Sequence, residues 1–564
     1  MKRRIIVPYV CGLLACCMAP LSTSAQVAKQ VEVTKAYVPE VSEAVKLPIV
    51  PNMVDTVKMH PDIEYRITPL MYSTDLATHQ FKPATVTYWE FNRPMAFYAK
   101  LGAGYPLNSI ADVYVSTYNA RVGYVMAYVN HQGQYGDIKN YQGVKTDAVQ
   151  VQTRAGVAGG VFWGKRMFEG DVWYQSDMYR RYADTGFGVD FEDVNLKLRL
   201  GDDFVDLSRL NFNIEVRGSY FHDKSEWLSA AKPNIQQADF GAKAKIARRF
   251  GRNTIGMNIG YDGYWGLKDY SDFRNNIASA GLHYGYESDF LEFELGADYY
   301  YDHSATTFKK AHHYVIPRAR IQLNVSARGI ITPFVALDGS LHDNSYYSLV
   351  ERNPYFDFFD PALMTLPNTV DYNLSFGIDG HFAQDKFSYR LYANMAFIEN
   401  SLYWYNYDIM WIRAENARQN IMSLNLEFEY KPANQFILAA GVHGYIYTDF
   451  TNICNGRSPV DGYVRARYTF GKFAVGASAD VRGVSKWSSF ERIDPELPAV
   501  PENMRMRNLT APFYVDVGLN FDWKVAECCT VFVEGRNLAN MNIYPWAFYR
   551  EYGANFTVGA KFQF

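Results

Sequence analysis

Two clusters of side chains in this 564-residue sequence have residue types suited to chemistry. Asp302, His303, His312 and His313 are metal-ligand types, but His303 and His312 stand nine residues apart across a loop. That spacing specifies no coordination geometry. The four read as polar loop residues, and no metal site is assigned. The second cluster lies in the loop Asn344–Asp360, where Tyr346, Tyr347, Tyr355, Phe356, Phe358 and Phe359 accompany Glu351, Arg352, Asp357 and Asp360. Exposed rings of this kind stack on sugars or flat ligands, or form a partner surface. Packed on one another they make a loop lid instead. Tyr403, Trp404, Tyr405 and Tyr407 either extend the patch or form an aromatic girdle at headgroup level, the reading preferred here. There is no GxSxG, HExxH, Walker A or paired CxxC. No catalytic residue or cofactor is assigned, and an enzyme is not expected.

The elements that must position these side chains are strands. Ala238, Phe240, Ala242, Ala244 and Ile246 alternate with Asp239, Gly241, Lys243 and Lys245. The same period of two recurs at Ile255–Asp262, Leu291–Tyr299, Val464–Phe470 and Phe513–Lys524. One face is apolar and aromatic, and the other carries charge. Lipid outside and a wet lumen inside satisfy both, whereas a dry sandwich core satisfies neither. Carboxylates such as Glu292, Glu294, Asp516 and Asp522 then line the lumen and need no acid–base role. The last stretch, Gly553–Phe564, keeps the pattern to the end: Phe556, Val558, Ala560, Phe562 and Phe564 share one face. A final strand needs a partner for its outer edge. Pairing with the first strand, near Phe97–Gly104, closes a barrel without edges.

Connections alternate in length. Short turns stand near Gly164, Gly251–Asn253, Ser288–Asp289, Gln384–Asp385, Pro432–Asn434, Gly471–Lys472 and Glu527–Cys528. Between them lie longer stretches such as Gln132–Lys145, Ser225–Asn234, Asp343–Thr369, Tyr403–Arg418 and Lys486–Leu509. This is the outer-membrane pattern, with the long loops outside. The expected fold class is all-β: a closed antiparallel transmembrane barrel of about 22 strands, with 18 to 22 allowed by weak alternation at Phe97–Asn119 and Asp190–Leu210.

Residues 1–26 read as a secretory signal. Lys2, Arg3 and Arg4 precede an apolar core, and Thr23–Ala25 offers small residues for cleavage. Leu13–Cys16 is a competing lipidation motif. Removing the three basic residues takes the formal charge from −3 to −6, so nothing suggests nucleic-acid binding. Of the six cysteines, Cys454, Cys528 and Cys529 remain, an odd number without metal spacing. No later run of 18 apolar residues occurs, and the mean hydropathy is −0.23, which argues against transmembrane helices. Residues 27–94 form a Pro-broken, mostly extended periplasmic segment, and the barrel occupies 95–564.

Within that segment Val31-Glu32-Val33-Thr34-Lys35 resembles a TonB box, which pairs by strand addition with an energy-transducing partner. With the strand number, the Phe-ended strand and the Asn537-Leu538-Ala539-Asn540 ending, the chain resembles the barrel of TonB-dependent receptors. The signal followed by Gln26 and the Tyr-rich strands look like the Bacteroidetes versions, and Lys35–Val41 and Lys100–Tyr105 resemble a plug-poor branch. The resemblance implies outer-membrane location in a Gram-negative cell, solute transport, and outer-membrane lipid, barrel assembly machinery and TonB or another outer-membrane protein as partners. It departs from the family in one respect. Fewer than 70 residues precede the first strand, too few for the globular plug. The lumen is sealed by that segment, by a partner or by inward-folded loops. Two functions follow: a transporter or receptor with a gated lumen, or a plugless barrel serving as a subunit of an outer-membrane complex.

Overall fold

The computed structural model describes residues 96–564, apart from 120–121, 141, 165, 184–185, 203, 205, 227–232, 305–310, 327–328, 358–365, 384, 410, 495 and 499. The signal, the segment 27–94 with Val31–Lys35, and Phe358 and Phe359 lie outside the described residues.

The wall begins with β1 (Phe97–Tyr105), β2 (Asn108–Asn119) and β3 (Gly123–Gln134), followed by a small separate hairpin, β4 (Asp137–Lys139) and β5 (Lys145–Asp147). It continues through β6 (Gln150–Trp163), β7 (Arg166–Arg181), β8 (Phe187–Gly201), β9 (Asn211–Asp223), β10 (Ile235–Phe250), β11 (Asn253–Lys268) and β12 (Arg274–Glu287). Next come β13 (Leu291–Ser304), β14 (His312–Leu323), β15 (Thr332–His342), a helix α1 (Tyr346–Arg352), β16 (Thr369–Phe382), β17 (Phe387–Tyr407) and β18 (Trp411–Ala433). The chain ends with β19 (Phe436–Asp449), β20 (Val460–Phe470), β21 (Phe473–Arg482), a hairpin β22 (Ser485–Arg492) and β23 (Met504–Ala511), then β24 (Tyr514–Ala526), β25 (Cys529–Arg536) and β26 (Asn555–Gln563). Without β4–β5 and β22–β23, 22 antiparallel strands close the wall.

Closure joins β26 to β1, from Tyr98 opposite Gln563 to Tyr105 opposite Phe556. Phe556 and Val558 are each 48% exposed, Phe562 is half-buried on the same face, and Phe564 is 66% exposed beside Phe97, ring centroids 5.9 Å apart. On the lumen side Gly102 stands opposite Gly559, and the buried Phe532 ring of β25 lies over both. Lys100 and Lys561 hold their ammonium groups 4.8 and 5.5 Å from that ring and pair with Glu534 and Asp522 at 2.8 and 3.0 Å. A desolvated cation over an aromatic face is attractive. The seam is therefore packed from inside as well as laddered.

Alternation fixes what each face meets. Outside, Ile255, Met257, Ile259, Leu519, Phe521 and Trp523 are exposed to lipid. Inside, opposite charges pair along the wall: Arg390 with Asp379 at 2.7 Å and Lys197 with Glu215 at 3.2 Å across neighbouring strands, and Arg217 with Asp262 at 2.7 Å across the intervening β10. Short turns at 251–252, 434–435 and 471–472 mark the periplasmic end, and connections at 343–368, 483–513 and 537–554 the extracellular end. The exceptions are the longer connections 202–210 and 324–331 below and the short turns 106–107 and 408–410 above. A chain of rings lines part of the periplasmic rim: Phe382 to Phe387 at 4.5 Å, Tyr430 to Phe436 at 6.4 Å, Tyr468 to Phe470 at 5.5 Å, and Phe473 to Trp523 at 6.3 Å. A closed wall with an apolar exterior and a charged lumen satisfies every requirement of lipid, and this is an outer-membrane β-barrel. Among the described residues no helix is long and apolar enough to cross a membrane.

Candidate functional site: an aromatic lid over the extracellular mouth

The largest cluster of buried apolar side chains sits at the extracellular end of the lumen. Four connections form its body, packed against inward side chains of the upper wall such as Phe191, Phe221 and Ile277 and against Tyr182 and Tyr270 of two further connections. The first is 343–368. Ser345 caps α1, its side chain accepting from the Ser348 amide, and Asn353 ends the helix by donating its amide to Leu349 O at 2.9 Å. Pro354 then forbids another turn. Tyr346, Leu349 and Val350 recur at helical spacing and are buried. Tyr346 donates its hydroxyl to Asp223 at 2.6 Å, and Tyr347 stacks on Phe221 at 4.7 Å. Beyond the helix, Tyr355 stacks on Tyr549 at 3.8 Å, and Phe356 meets Trp404 edge-on at 5.4 Å.

The second is the top of the β17–β18 hairpin. These strands have 21 and 23 residues and overrun the lipid belt. A register shift between Ile398 and Ser401, with Asn400 at φ +55°, bends the hairpin. Trp404 is thereby buried in the lid, and Tyr403 is buried outside the cluster, donating to Asp449 at 2.8 Å beneath Arg457, rather than placed in a headgroup girdle. Asn455 holds the bend, accepting from the Trp404 amide and donating to Leu402 O, both at 2.9 Å. The third is the β22–β23 hairpin, whose β22 runs parallel to the tip of β17 and contributes Trp487. The stretch Lys486–Leu509 is thus a hairpin.

The fourth is 537–554, which the alternation pattern hid. Asn537–Asn540 is not the end of a hairpin. Asn537 opens an 18-residue loop by donating to Met541 O and Tyr552 O at 2.9 and 3.1 Å. Trp546 lies 5.8 Å from Trp404 and 5.4 Å from Trp487, and Tyr549 lies 5.1 Å from Tyr182. Loss of alternation after Arg536, with Pro545 among five aromatic residues, is the signal that marks this segment in the sequence.

The lid crosses the whole mouth. Arg181, at the end of β7, sits 4.9 Å from the ring of Trp411, at the start of β18. In wall order these strands are half a circumference apart. Arg181 also donates to Phe356 O at 3.5 Å, and Tyr182 to Arg550 O at 2.8 Å. Burying each large aromatic side chain contributes about 2–3 kcal/mol, so the lid is a cooperative layer and not a fringe of independent loops.

Two carboxyls in the lid are displaced. Burial first, then Asp516, push Glu551 up to about 7 against Arg536 and Arg482. Burial, Asp193 and Asp343 push Glu351 up to about 7, with Asp177 adding and a Tyr347 hydrogen bond opposing. Glu351 keeps solvent contact, so Glu551 carries more weight. An acid whose value in the closed lid exceeds its ordinary 4.5 favours closure while protonated. That contribution is whole below 4.5 and is lost as pH rises through about 7. In a Cys454, Cys528 and Cys529→Ser background, labelling of Val350→Cys by a membrane-impermeant maleimide, divided at each pH by that of an exposed Leu497→Cys reference so that thiol ionisation cancels, therefore rises several-fold from about pH 5 to about pH 8.5. Glu551→Gln with Glu351→Gln flattens that profile; an unchanged profile in the double variant rejects the assignment.

The remaining sequence candidates do not converge. Asp302 and His312 are opposite each other on the lumen face, and His303 and His313 lie on the outer face, where His313 accepts or donates a 2.6 Å bond with Tyr299. Among the described residues no group of three or more His, Cys, Asp or Glu is placed to hold a metal. Ser340, His342 and Asp371 do meet on the lumen wall, at 2.7 to 3.1 Å. Serine and aspartate contact the same imidazole nitrogen, Nε2, so the ring cannot relay a proton between them as a nucleophile triad requires.

No protein-family profile matches this chain, and no curated sequence matches it. Its fold is similar to several solved structures. The FrpB iron transporter from Neisseria meningitidis is 11% identical over 84% of this chain and 83% of its own, with a TM-score of 0.63. The siderophore receptor PirA from Acinetobacter baumannii is 12% identical over 83% and 80%, at 0.62. The copper transporter OprC is 14% identical over 83% and 80%, at 0.60. At such identity the likeness establishes the fold.

Proposed function

We propose that the chain is an outer-membrane transporter of the TonB-dependent-receptor kind, whose outer gate is the aromatic lid. The observation that carries this reading is the lid itself: one cooperative layer spans the mouth of a wide lumen lined with paired charges. A 22-strand lumen is wide enough to need closing. Solute arriving from outside meets the outer surface of this layer first and enters when the lid is displaced. Similar folds among named iron and copper transporters and a siderophore receptor support transport as the class. The cargo stays unassigned.

Displacing the lid costs energy, and strand addition at Val31–Lys35 is the proposed coupling. The Val350→Cys probe tests it without knowledge of the cargo. In energised cells maleimide labelling proceeds. After deletion of Val31–Lys35, or with an uncoupler, it falls to the rate of the purified protein. Labelling indifferent to both treatments sinks the coupling. A stoichiometric membrane partner recovered from native membranes would favour the subunit role instead.

A further inference from the structure

The wall has one irregular seam. β14 pairs with β15 only from Ala319 opposite Leu337 to Gln322 opposite Phe334. Both strands continue toward the extracellular side. There β14 is fully paired to β13, up to His312 opposite Asp302, and β15 to β16, up to His342 opposite Thr369. Continuing the register would set Pro317 against Gly339 and Val315 against Leu341, yet no ladder joins them. Among the described wall pairs, no other leaves two continuing strands unjoined. Pro317 has no N–H to donate, and proline in a sheet belongs at an edge or irregularity.

Side chains take over where the ladder stops. Ile316 is fully buried, and a Cβ on Gly339 would come within 2.9 Å of its Cγ2. Arg318 holds Asp298 through Nε and donates from Nη2 to Gly339 O at 3.5 Å. An apolar wedge and a guanidinium thus stand in for a hydrogen-bond ladder. In lipid, backbone groups must be satisfied within the protein, and here a side chain supplies what the neighbouring strand supplies elsewhere, so this joint lacks the ladder that holds the rest of the wall.

The seam borders the outer leaflet. Val315 is 62% exposed on the lipid side, with Tyr299 at 42% and Tyr301 at 37% nearby. The inner lip is polar: Ser340, His342 and Asp371 bond to one another, and Arg318 is paired with Asp298. β15 also runs directly into the lid, one residue separating His342 from the Asn344–Ser345 cap of α1. Displacing α1 pulls the unlatched end of β15 away from β14.

We propose that the upper β14–β15 seam is a lateral portal, through which an amphipathic molecule of the outer leaflet, with a polar headgroup and acyl chains, passes between the membrane and the lumen. A slot through the wall opens only onto lipid, so what enters it must already be dissolved there. Apolar chains fit the Val315 side, and the headgroup exchanges bulk water for Ser340, His342 and Arg318. This path goes beyond the transport reading and does not depend on Val31–Lys35.

Two measurements test it. In vesicles of phosphatidylethanolamine and phosphatidylglycerol, the amides of 313–318 and 338–342 that face the seam exchange with deuterium about tenfold or more faster than those of 319–322. A photoreactive benzophenone side chain is placed at Tyr314, on the inner lip, and separately at Tyr463 on the lumen face of β20. Illumination yields phospholipid adducts at 314 and not at 463. Bridging Val315→Cys to Leu341→Cys with a bis-maleimide, in the cysteine-free background, abolishes the adduct while the barrel stays folded. Slow exchange at the seam overturns the portal. So does fast exchange with equal adducts at both positions, or with none, because the seam then only frays.

Discussion

Gly559→Val prevents the barrel from closing. The residue sits at the joint between first and last strands, and an added Cβ would lie 2.1 Å from Leu101 O and 2.6 Å from the Phe532 ring. Neither neighbour can yield cheaply: one is backbone of β1, the other a buried ring flanked by two ammonium groups. The expected readout is loss of the folded, heat-modifiable species on electrophoresis of membranes, by more than about tenfold, since the clash exceeds the 1–3 kcal/mol typical of overpacking. Phe532→Ala alone leaves a cavity costing about 3–5 kcal/mol and lowers thermal stability without preventing assembly. Combining Phe532→Ala with Gly559→Ala separates the two clashes. It does not restore wild-type assembly, because the carbonyl remains. Deleting Phe564 is milder: it removes the ring contact with Phe97 and the paired backbone bonds between those residues, at 3.0 and 3.4 Å, and slows assembly. A Gly559→Val protein that folds normally would show that the joint tolerates separation of its strands.

The wall was legible because its signal is local. A period of two, read over ten residues, says which side chains meet lipid, and it places Phe556, Val558, Phe562 and Phe564 on one face without any long-range information. The same parity separates His303 and His313 from Asp302 and His312, since adjacent strand residues point to opposite faces. The lid was not legible. Tyr403 and Trp404 sit in a segment that reads equally as girdle, loop or strand, and its direction is set by a bulge at Asn400 and by Asn455, fifty residues on. Tyr346, Tyr355 and Phe356 were recognisable as a cluster, but only partners such as Tyr549 and Arg181, nearly two hundred residues away on either side, bury them. Period-based reading cannot see such contacts, and the interrupted β14–β15 ladder escaped it for the same reason. Pro317 was the single local hint.

Replacing residues 343–368 with a two-residue turn opens the mouth while leaving the wall intact. His342 is already paired with Thr369, so a short connection between β15 and β16 is geometrically available. The excision removes Tyr346, Leu349, Val350, Tyr355 and Phe356 from the lid, and with them the stacking of Tyr549 and the edge contact of Trp404. What remains is a thinner bridge: Arg181 loses its acceptor at Phe356 O, and the mouth is crossed only by Arg181 over Trp411 and by the 537–554 loop between Tyr182 and Trp404. In planar bilayers the full-length protein gives a quiet baseline, and the excised form gives open channels with conductance at least about tenfold higher, as expected of an unplugged wide barrel. Trp546→Ala gives an intermediate result. It removes the ring that joins Trp404 to Trp487 and costs about 3–5 kcal/mol, so brief openings appear without a permanent pore. Heat-modifiable mobility checks that both proteins are folded before currents are compared. A folded, excised barrel as quiet as its parent would mean that the lid is not the barrier to flow, and the outer gate would have to be sought elsewhere in the chain.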